Sequence, residues 1–294
     1  MPNRTSGLRR ALPALASILM AASLAACAAG VGGPPPTPSP TPAPSPSVAH
    51  STDPTVVILR VEQAGGFVPP DFIVTRTPQF SLYGDGTVLF QRPPDPNAGL
   101  SLGPATLARA QLSDEQMDAL LAFALNAGHL ADARELYVNN RVADAPDTVF
   151  TVSTRPLSKI VTVQALGIGA DPLDPDATIL TALGHLFDLL SNFGAEVQKG
   201  NAAAAGTYEP AAYRGILAEG QAQPQAIAWP WTDLTPADFV ASGNFGFKMG
   251  VLTPAQAKLL TPTPQGGLFA TPITAPDKTP YTIALRPLLP DETK

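Results

Sequence analysis

The sequence predicts an α+β fold: antiparallel sheet with two main amphipathic helices, and a smaller C-terminal α+β part. Two observations lead to this class. Alternating or β-branched runs, which indicate strands, occur in pairs, and longer runs with apolar residues three and four positions apart, which indicate helices, separate those pairs. Only 14% of the 294 residues are charged, whereas 34 are prolines and 24 are glycines, a composition typical of short elements joined by turn-rich connections.

The first strand and hairpin are predicted within residues 56–91. The run VVILRV (56–61) is β-branched and lies between TDP and AGG, which favours a mostly buried strand. FSLYGDGTVLFQ (80–91) predicts a hairpin, because Asp85-Gly86 supplies residues that tolerate the positive φ of a tight turn. The proline-rich stretch that follows, at 93–104, predicts irregular structure.

The first helix is predicted by LSDEQMDALLAFALNAG (112–128). Ser113 is its expected N-cap, Gln116 stands at the capping-box position, and Gly128 is its expected end. Its apolar stripe consists of Met117, Leu120, Leu121 and Ala124.

Two alternating strands, DTVFTVST (147–154) and SKIVTVQAL (158–166), precede the second predicted helix, DPLDPDATILTALGHLFDLLSNFG (171–194). In that helix Asp174 is the expected cap, with Pro175 in the first turn and Gly194 at the end. Its stripe consists of Ile179, Leu183, Leu186, Phe187 and Leu190.

The segment EVQKGNAAAAGTYEP (196–210) lacks periodicity and predicts a boundary between a domain at 54–195 and a smaller domain at 196–294. Beyond it, Tyr213 to Ala218 and Tyr281 to Arg286 predict strands. LTPADF (234–239) and LTPAQAKLL (252–260) predict two short helices, since each has a threonine cap followed by proline.

The N-terminus predicts export. Arg4, Arg9 and Arg10 precede a short apolar run that ends in small residues, which is the pattern of a signal peptide over residues 1–26. The tetrapeptide Leu24-Ala25-Ala26-Cys27 resembles the lipobox of bacterial lipoproteins, and Cys27 is the only cysteine of the chain. The resemblance implies cleavage before Cys27 and a diacylglyceryl anchor on its thiol, with palmitate as an acyl group of the anchor. The alternative is an ordinary secretory signal with an incidental cysteine.

Residues 27–53 are then the acylated cysteine and a stalk. PPPTPSPTPAPSP (34–46) favours polyproline II, and its 13 residues reach about 40 Å at about 3.1 Å each. The predicted location is the extracytoplasmic face of the cell membrane, with the membrane itself as a partner through two acyl chains.

Charge excludes one class of partner. Loss of the three signal-peptide arginines moves the formal charge from −6 to −9, because no acidic residue is lost with them. An acidic chain without a basic cluster repels nucleic acid, so no nucleic-acid partner is predicted.

Four segments resemble a family of uncharacterised lipoproteins of Gram-positive and Chloroflexi-type bacteria. They are GGFVPP (65–70), PQFSLYGDGTV (78–88), ADAPDTVFTV (143–152) and RPLLPDE (286–292). The resemblance implies no activity. The stretch from GGF to LSDEQMDALL is also similar to emfourin-type metalloprotease inhibitors, which implies inhibition of an extracellular protease.

The sequence offers few motifs of catalysis or cofactor binding. GLSLG (99–103) has the letters of G-x-S-x-G, but it lies in the proline-rich stretch and not at a turn from a predicted strand into a predicted helix, where a nucleophile elbow would stand. The sequence has no S-x-x-K and no free thiol for a nucleophile. His50, His129 and His185 are far apart and outside any zinc motif, and neither GIGADP nor GNFGFK has phosphate-loop spacing. DPLDPD (171–176) has three aspartates but not the spacing of a calcium loop. We therefore predict no catalytic residue, cofactor or metal.

Aromatic residues crowd one part of the chain, and they supply the predicted ligand site. Trp229 and Trp231 flank a proline, and Tyr208 and Tyr213 precede them. Exposed, these side chains would stack on sugars or anchor a protein partner. The alternative is that the tryptophans fill the interface between the two halves.

These features together predict a membrane-anchored lipoprotein that acts as a non-enzymatic binding module for an envelope protein or glycan. The alternatives are a protease inhibitor, an envelope hydrolase that uses paired carboxylates, and a solute-binding lipoprotein. A hydrolase would need two close acids, one of them with a raised pKa.

Overall fold

The computed structural model describes residues 47–92, 106–155, 157–169, 174–243, 246–265 and 268–292. The predicted signal peptide, Cys27, the proline-rich run and the irregular stretch at 93–104 lie outside the described residues. The α+β prediction is confirmed, since two mainly antiparallel sheets and several helices are present.

The first sheet contains eight strands of the described chain, mostly from its first half. They are Val57–Gly65 (β1), Phe80–Tyr83 (β2), Thr87–Gln91 (β3), Leu107–Gln111 (β4), Leu136–Tyr137 (β5), Pro146–Ser153 (β6), Ser158–Gln164 (β7) and Ala203–Thr207 (β8). Their order is β5-β7-β6-β1-β2-β3-β4-β8, and every neighbouring pair except β5-β7 is antiparallel.

The hairpin prediction is confirmed by β2 and β3. Gly86 has φ +81°, and a Cβ there would lie 2.5 Å from the carbonyl oxygen of Leu112, so both backbone and space require glycine at this turn. The paired strands predicted at 147–154 and 158–166 are β6 and β7, with Asp147 opposite Gln164 in register.

The helices at 114–122, 177–191 and 193–198 cover one face of the first sheet. The described helices are Pro70–Thr75 (α1), Asp114–Ala122 (α2), Ala177–Ser191 (α3), Phe193–Gln198 (α4) and Pro254–Ala257 (α5), with a π-helical turn at Phe123–Ala127 and a 3₁₀ turn at Pro236–Asp238. The predicted capping box of α2 is confirmed: the Gln116 N–H donates to Ser113 Oγ at 3.3 Å, and the Ser113 N–H donates to Gln116 Oε1 at 2.9 Å. The π-helical turn continues α2 to Ala127, just before the predicted end at Gly128. No helix in the described ranges is long and apolar enough to span a bilayer.

The predicted ends of the second long helix are wrong. Asp176, not Asp174, is the N-cap residue of α3, and Asp174 Oδ1 instead accepts from the Asp176 N–H at 2.8 Å in the turn before the helix. Gly194 does not stop it either. Asn192 ends α3, with its Nδ2 donating to the Asp188 carbonyl at 2.9 Å, and Gly194 lies inside α4.

The main core lies between this helical layer and the first sheet. Its fully buried side chains include Leu59, Phe80, Leu82, Met117, Leu121, Phe150, Leu183, Leu186 and Leu190. Phe193 of α4 adds edge-to-face contacts, with ring centroids 4.9 Å from Phe80 and 5.6 Å from Phe90. Each such side chain contributes about 1.5–3 kcal/mol on burial, which offsets the absence of any disulfide.

The second sheet contains seven described strands. They are Tyr213–Glu219 (β9), Ile227–Ala228 (β10), Val240–Ser242 (β11), Phe247–Leu252 (β12), Thr263–Gln265 (β13), Leu268–Thr274 (β14) and Pro280–Pro287 (β15). The order is β10-β14-β15-β9-β12-β11, and β13 also pairs with β14. The predicted strands at 213–218 and 281–286 are confirmed as β9 and β15. Of the two predicted short helices, the second is α5, and the first is only the 3₁₀ turn at Pro236–Asp238.

Residues 44–294 form one compact unit, in which each half of the chain contributes an element to the sheet of the other half. The predicted boundary segment instead contains β8, which pairs with β4 in the first sheet. In return α1, which follows β1 in the chain, packs Val74 against Ile216 and Ala284 of the second sheet. The chain after β15 then passes back onto the outer face of the first sheet.

Candidate functional site

Residues 286–292, hereafter the C-terminal clasp, cover part of the outer face of the first sheet. Leu289 is buried there against Tyr83, Leu89 and Leu107. The outer faces of β2, β3 and β4 carry these apolar side chains, so without the clasp they would be exposed to water.

A buried polar network fixes the clasp. Arg60 donates to both carboxylate oxygens of Asp291, at 2.7 and 2.9 Å, and its Nε donates to Ser81 Oγ at 2.9 Å. The Tyr83 hydroxyl, which is fully buried, donates to Asp291 Oδ1 at 2.8 Å. Burial alone would raise the pKa of Asp291, but its hydrogen bond and charge interaction with Arg60 outweigh burial and lower that pKa.

A second ion pair closes the clasp on itself. Arg286 is buried and donates to both carboxylate oxygens of Glu292, at 2.6 and 2.8 Å, while its Nε donates to the Arg76 carbonyl at 2.6 Å. Because Arg76 follows α1, this contact joins the clasp to the element that packs on the second sheet. Both ion pairs are therefore structural.

An open groove of about 900 Å³ lies beside the clasp. Thr87 of β3, Arg109 of β4 and Thr207 of β8 line it from neighbouring strands. Further lining residues are Pro54, Thr55, Asp85, Ala205, Tyr208, Glu209 and Pro290. The Tyr208 hydroxyl donates to the Leu288 carbonyl at 2.7 Å, which holds that border of the groove against the clasp.

Charges of both signs line this groove without neutralising one another. Arg109, Asp85 and Glu209 are exposed, and none of them forms an ion pair with a described residue. Asp85 accepts instead from the Thr87 backbone and hydroxyl, both at 3.0 Å, so its carboxylate is held in place. A ligand that carries both an anionic and a cationic or hydroxyl group would find partners for each.

The predicted tryptophan platform does not form. Trp231 is only 5% exposed and belongs to the core under the second sheet, and Trp229 is half-buried against it with ring centroids 5.1 Å apart. Both indole N–H groups donate to backbone carbonyls. The Trp229 indole donates to Leu234 at 2.7 Å, and the Trp231 indole donates to Gln256 at 3.1 Å. The pair does not fill the interface between the two halves either, because its neighbours belong to the second half.

The other predicted site residues are divided between two places. Tyr208 lines the groove, and burial, followed by the charges of Glu292 and Asp291, raises its pKa to about 12. Tyr213 packs partly buried against the core of the second sheet. The structure therefore does not bring the four predicted aromatic residues together, and Cys27 lies outside the described residues.

No cluster of three potential metal ligands occurs among the described residues. His185 is exposed on α3, and His129 lies near only Asp132, at 3.4 Å. Of the DPLDPD aspartates, Asp174 forms the turn before α3, Asp176 pairs with Arg134, and Asp171 falls outside the described residues.

Arg109 and Glu209 were not predicted from sequence, and Asp85 was predicted only as a turn residue. β4 lacks β-branched residues, and β8 consists of AAAGT, so neither strand has the pattern that would indicate one. Without those strands the groove has no lining.

Comparison of the chain with protein-family models, with curated proteins and with solved structures finds no match.

Proposed function

We propose that the chain is a lipoprotein whose folded head, tethered through Cys27 and the proline-rich stalk, is a non-enzymatic binding module with the clasp-side groove as its ligand site. The observation that carries the proposal is the set of unpaired charges, Arg109 with Asp85 and Glu209, in one open groove. Such a site suits an envelope peptide or glycan that carries charges of both signs.

A hydrolase with paired carboxylates needs one acid whose pKa is raised, so that it holds its proton near neutral pH. The fold lowers the pKa of five described carboxylates, those of Asp53, Glu196, Asp238, Asp277 and Asp291. These five are ionised acceptors, so none of them is the proton donor of such a pair.

The groove is tested by titrating the purified mature chain with a muramoyl tripeptide, a probe with carboxylates, an ammonium group and sugar hydroxyls. Loss of one charge-assisted bond of about 1.5–3 kcal/mol predicts roughly 10- to 100-fold weaker binding for Arg109→Gln. The matched control is Arg155→Gln, at an exposed arginine in the β6–β7 turn. Equal affinities for wild type and both variants, or no binding by the wild type, would rule out the groove for this ligand class.

The anchor is tested separately by growing cells with an alkyne-bearing palmitate. The wild-type chain should incorporate the label and sediment with membranes, whereas Cys27→Ser should be unlabelled and soluble. If the wild-type chain is unlabelled, the lipid anchor is ruled out and the chain is a secreted protein. That result does not affect the groove proposal.

A further inference from the structure

The end of the first sheet opposite the N-terminal entry carries an exposed apolar tip. Phe67, in the loop between β1 and α1, is 87% exposed. Val138 and Ile168, in loops that leave the same end of the sheet, are at least half exposed. Hydrogen bonds join these loops: the Phe67 N–H donates to the Asp144 carbonyl at 3.0 Å, and Asn139 Nδ2 donates to the Ile168 carbonyl at 3.0 Å.

The Phe67 loop is held in one conformation. Gly65 and Gly66 adopt φ +60° and +83°, and the Val68 N–H donates to the Gly66 carbonyl at 3.0 Å, which makes a tight turn around Phe67. Arg76 donates to the Gly65 carbonyl at 3.0 Å. Two prolines and α1 follow, so the second sheet anchors the far end of the loop.

Asp144, the residue that receives the Phe67 N–H, is itself in the left-handed region at φ +63°. A non-glycine residue adopts that conformation at a cost. The fold therefore holds a large aromatic ring in water with a loop that is fixed from both sides. Exposed apolar groups in such a pre-ordered setting are characteristic of interaction anchors.

The charged side chains near Phe67 indicate what kind of partner can bind the tip. Asp71, Asp144 and Asp147 lie on the same loops or next to them, and none forms an ion pair with a described residue. Of the nearby arginines, Arg76 is bound to loop carbonyls, and Arg141 is also engaged. Both keep their positive charge, but the three carboxylates outnumber them, so anionic lipid headgroups, or a second copy docked tip to tip, would meet a net negative surface.

The point at which the described chain enters the head also favours a protein partner at this tip. The Arg155 N–H, at the opposite end of β6, donates to the Ala49 carbonyl at 2.6 Å, so the chain enters the head there. β1 separates that end from the Phe67 loop by about 25 Å. The tip therefore lies at the end of the sheet opposite the entry of the described chain.

We infer that Phe67 is the anchor of a protein-docking surface, whose partner is a folded extracytoplasmic protein with an apolar pocket rimmed by lysine or arginine. This surface is separate from the clasp-side groove. Phe67 enters the pocket, and the three carboxylates face its basic rim.

The test places the photo-crosslinker benzoylphenylalanine at residue 67 of the full chain in its native envelope, with Val240, 70% exposed on β11, as the control position. Residue 67 alone should form an adduct with a discrete protein. That protein, once purified, should bind Phe67→Ser at least 10-fold more weakly than wild type and Phe67→Tyr nearly as well. Binding should weaken as salt rises, and Asp144→Asn should weaken it severalfold.

Several results would overturn the inference. They are adducts with lipid or with a second copy only, equal adducts from residues 67 and 240, and an affinity that Phe67→Ser leaves unchanged. Because Phe67 is almost fully exposed, Phe67→Ser should still unfold at the wild-type temperature. Arg109→Gln should leave the adduct intact, so failure of the groove proposal would not be mistaken for failure of this one.

Discussion

Removal of the Asp291 carboxylate should destabilise the whole head, because the clasp depends on it. In Asp291→Ala the Arg60 guanidinium, 14% exposed, loses both of its bonds to the carboxylate, and the fully buried Tyr83 hydroxyl loses its acceptor. Exposed ion pairs contribute about 0.2–1 kcal/mol, and breaking a fully buried pair costs about 3–5 kcal/mol. The Asp291 side chain is 21% exposed, so we expect a loss of about 2–3 kcal/mol.

That loss should lower the melting temperature by roughly 5–10 °C for a unit of this size. Thermal unfolding followed by tryptophan fluorescence measures it, since both tryptophans pack against the second sheet and report whether the two sheets unfold together. Glu219→Ala is the matched control, because Glu219 is 66% exposed and lies 3.5 Å from Lys248. If Asp291→Ala costs no more than Glu219→Ala, the clasp does not stabilise the fold.

The pH dependence follows from the direction of the Asp291 shift. The pKa of this carboxyl is lower in the folded chain than its ordinary value of 3.8, so its contribution is complete above that value and disappears as the pH falls through the folded pKa. The stability difference between wild type and Asp291→Asn should therefore be constant from about pH 8 to pH 5 and shrink below about pH 4. A difference that persists at pH 2 would show that the carboxylate charge is not its source.

The remaining predictions concern packing and capping. Gly250→Ala should cost about 1–3 kcal/mol, because its Cβ would lie 2.9 Å from the Phe239 ring, whereas Gly184→Ala, in the interior of α3 with open space around it, should stabilise by about 0.5–1 kcal/mol. Urea unfolding distinguishes the two, and equal effects would contradict the packing argument. Ser113→Ala should lose about 1 kcal/mol with the capping box of α2, measured in the same way. Trp231→Ala should cost about 3–5 kcal/mol, and near-wild-type stability would mean that the indole is not core.

The elements that sequence predicted well are those whose signals are local. The Asp85-Gly86 turn, the Ser113 and Gln116 capping box and the alternation of β6 and β7 depend on residues within one element, so their chemistry can be read without the partner. The predicted ends of α3 were wrong because local signals alone do not choose between neighbouring capping residues. Asp174 is a good residue to start a helix and Gly194 a good residue to end one, but Asp176 and Asn192 are equally good and lie nearer the apolar stripe.

The candidate site could not be predicted, because it depends on contacts between distant segments. Arg60 and Asp291 are 231 positions apart, and nothing around either residue indicates the other. For Trp229 and Trp231 the sequence predicted a binding site that the structure does not form. Aromatic residues that are close together in the sequence indicate apolar surface, but they do not show whether the fold buries it. In this structure residues from five strands of the second sheet pack with them and with Phe239 in one core cluster.

The two proposed binding surfaces lie where the sheets exchange elements, and this gives them rigidity that loops alone would lack. Pro290 of the clasp borders the groove, while the Phe67 loop leads directly into α1 on the second sheet. The Arg286 contact with the Arg76 carbonyl links these two crossings. Loosening the clasp should therefore weaken groove binding first, because Tyr208 and Pro290 lose their support, and should leave the Phe67 loop held by Asp144 and the Arg76 side chain. A ligand titration of Asp291→Ala, compared with crosslinking from residue 67 in the same variant, separates these two effects.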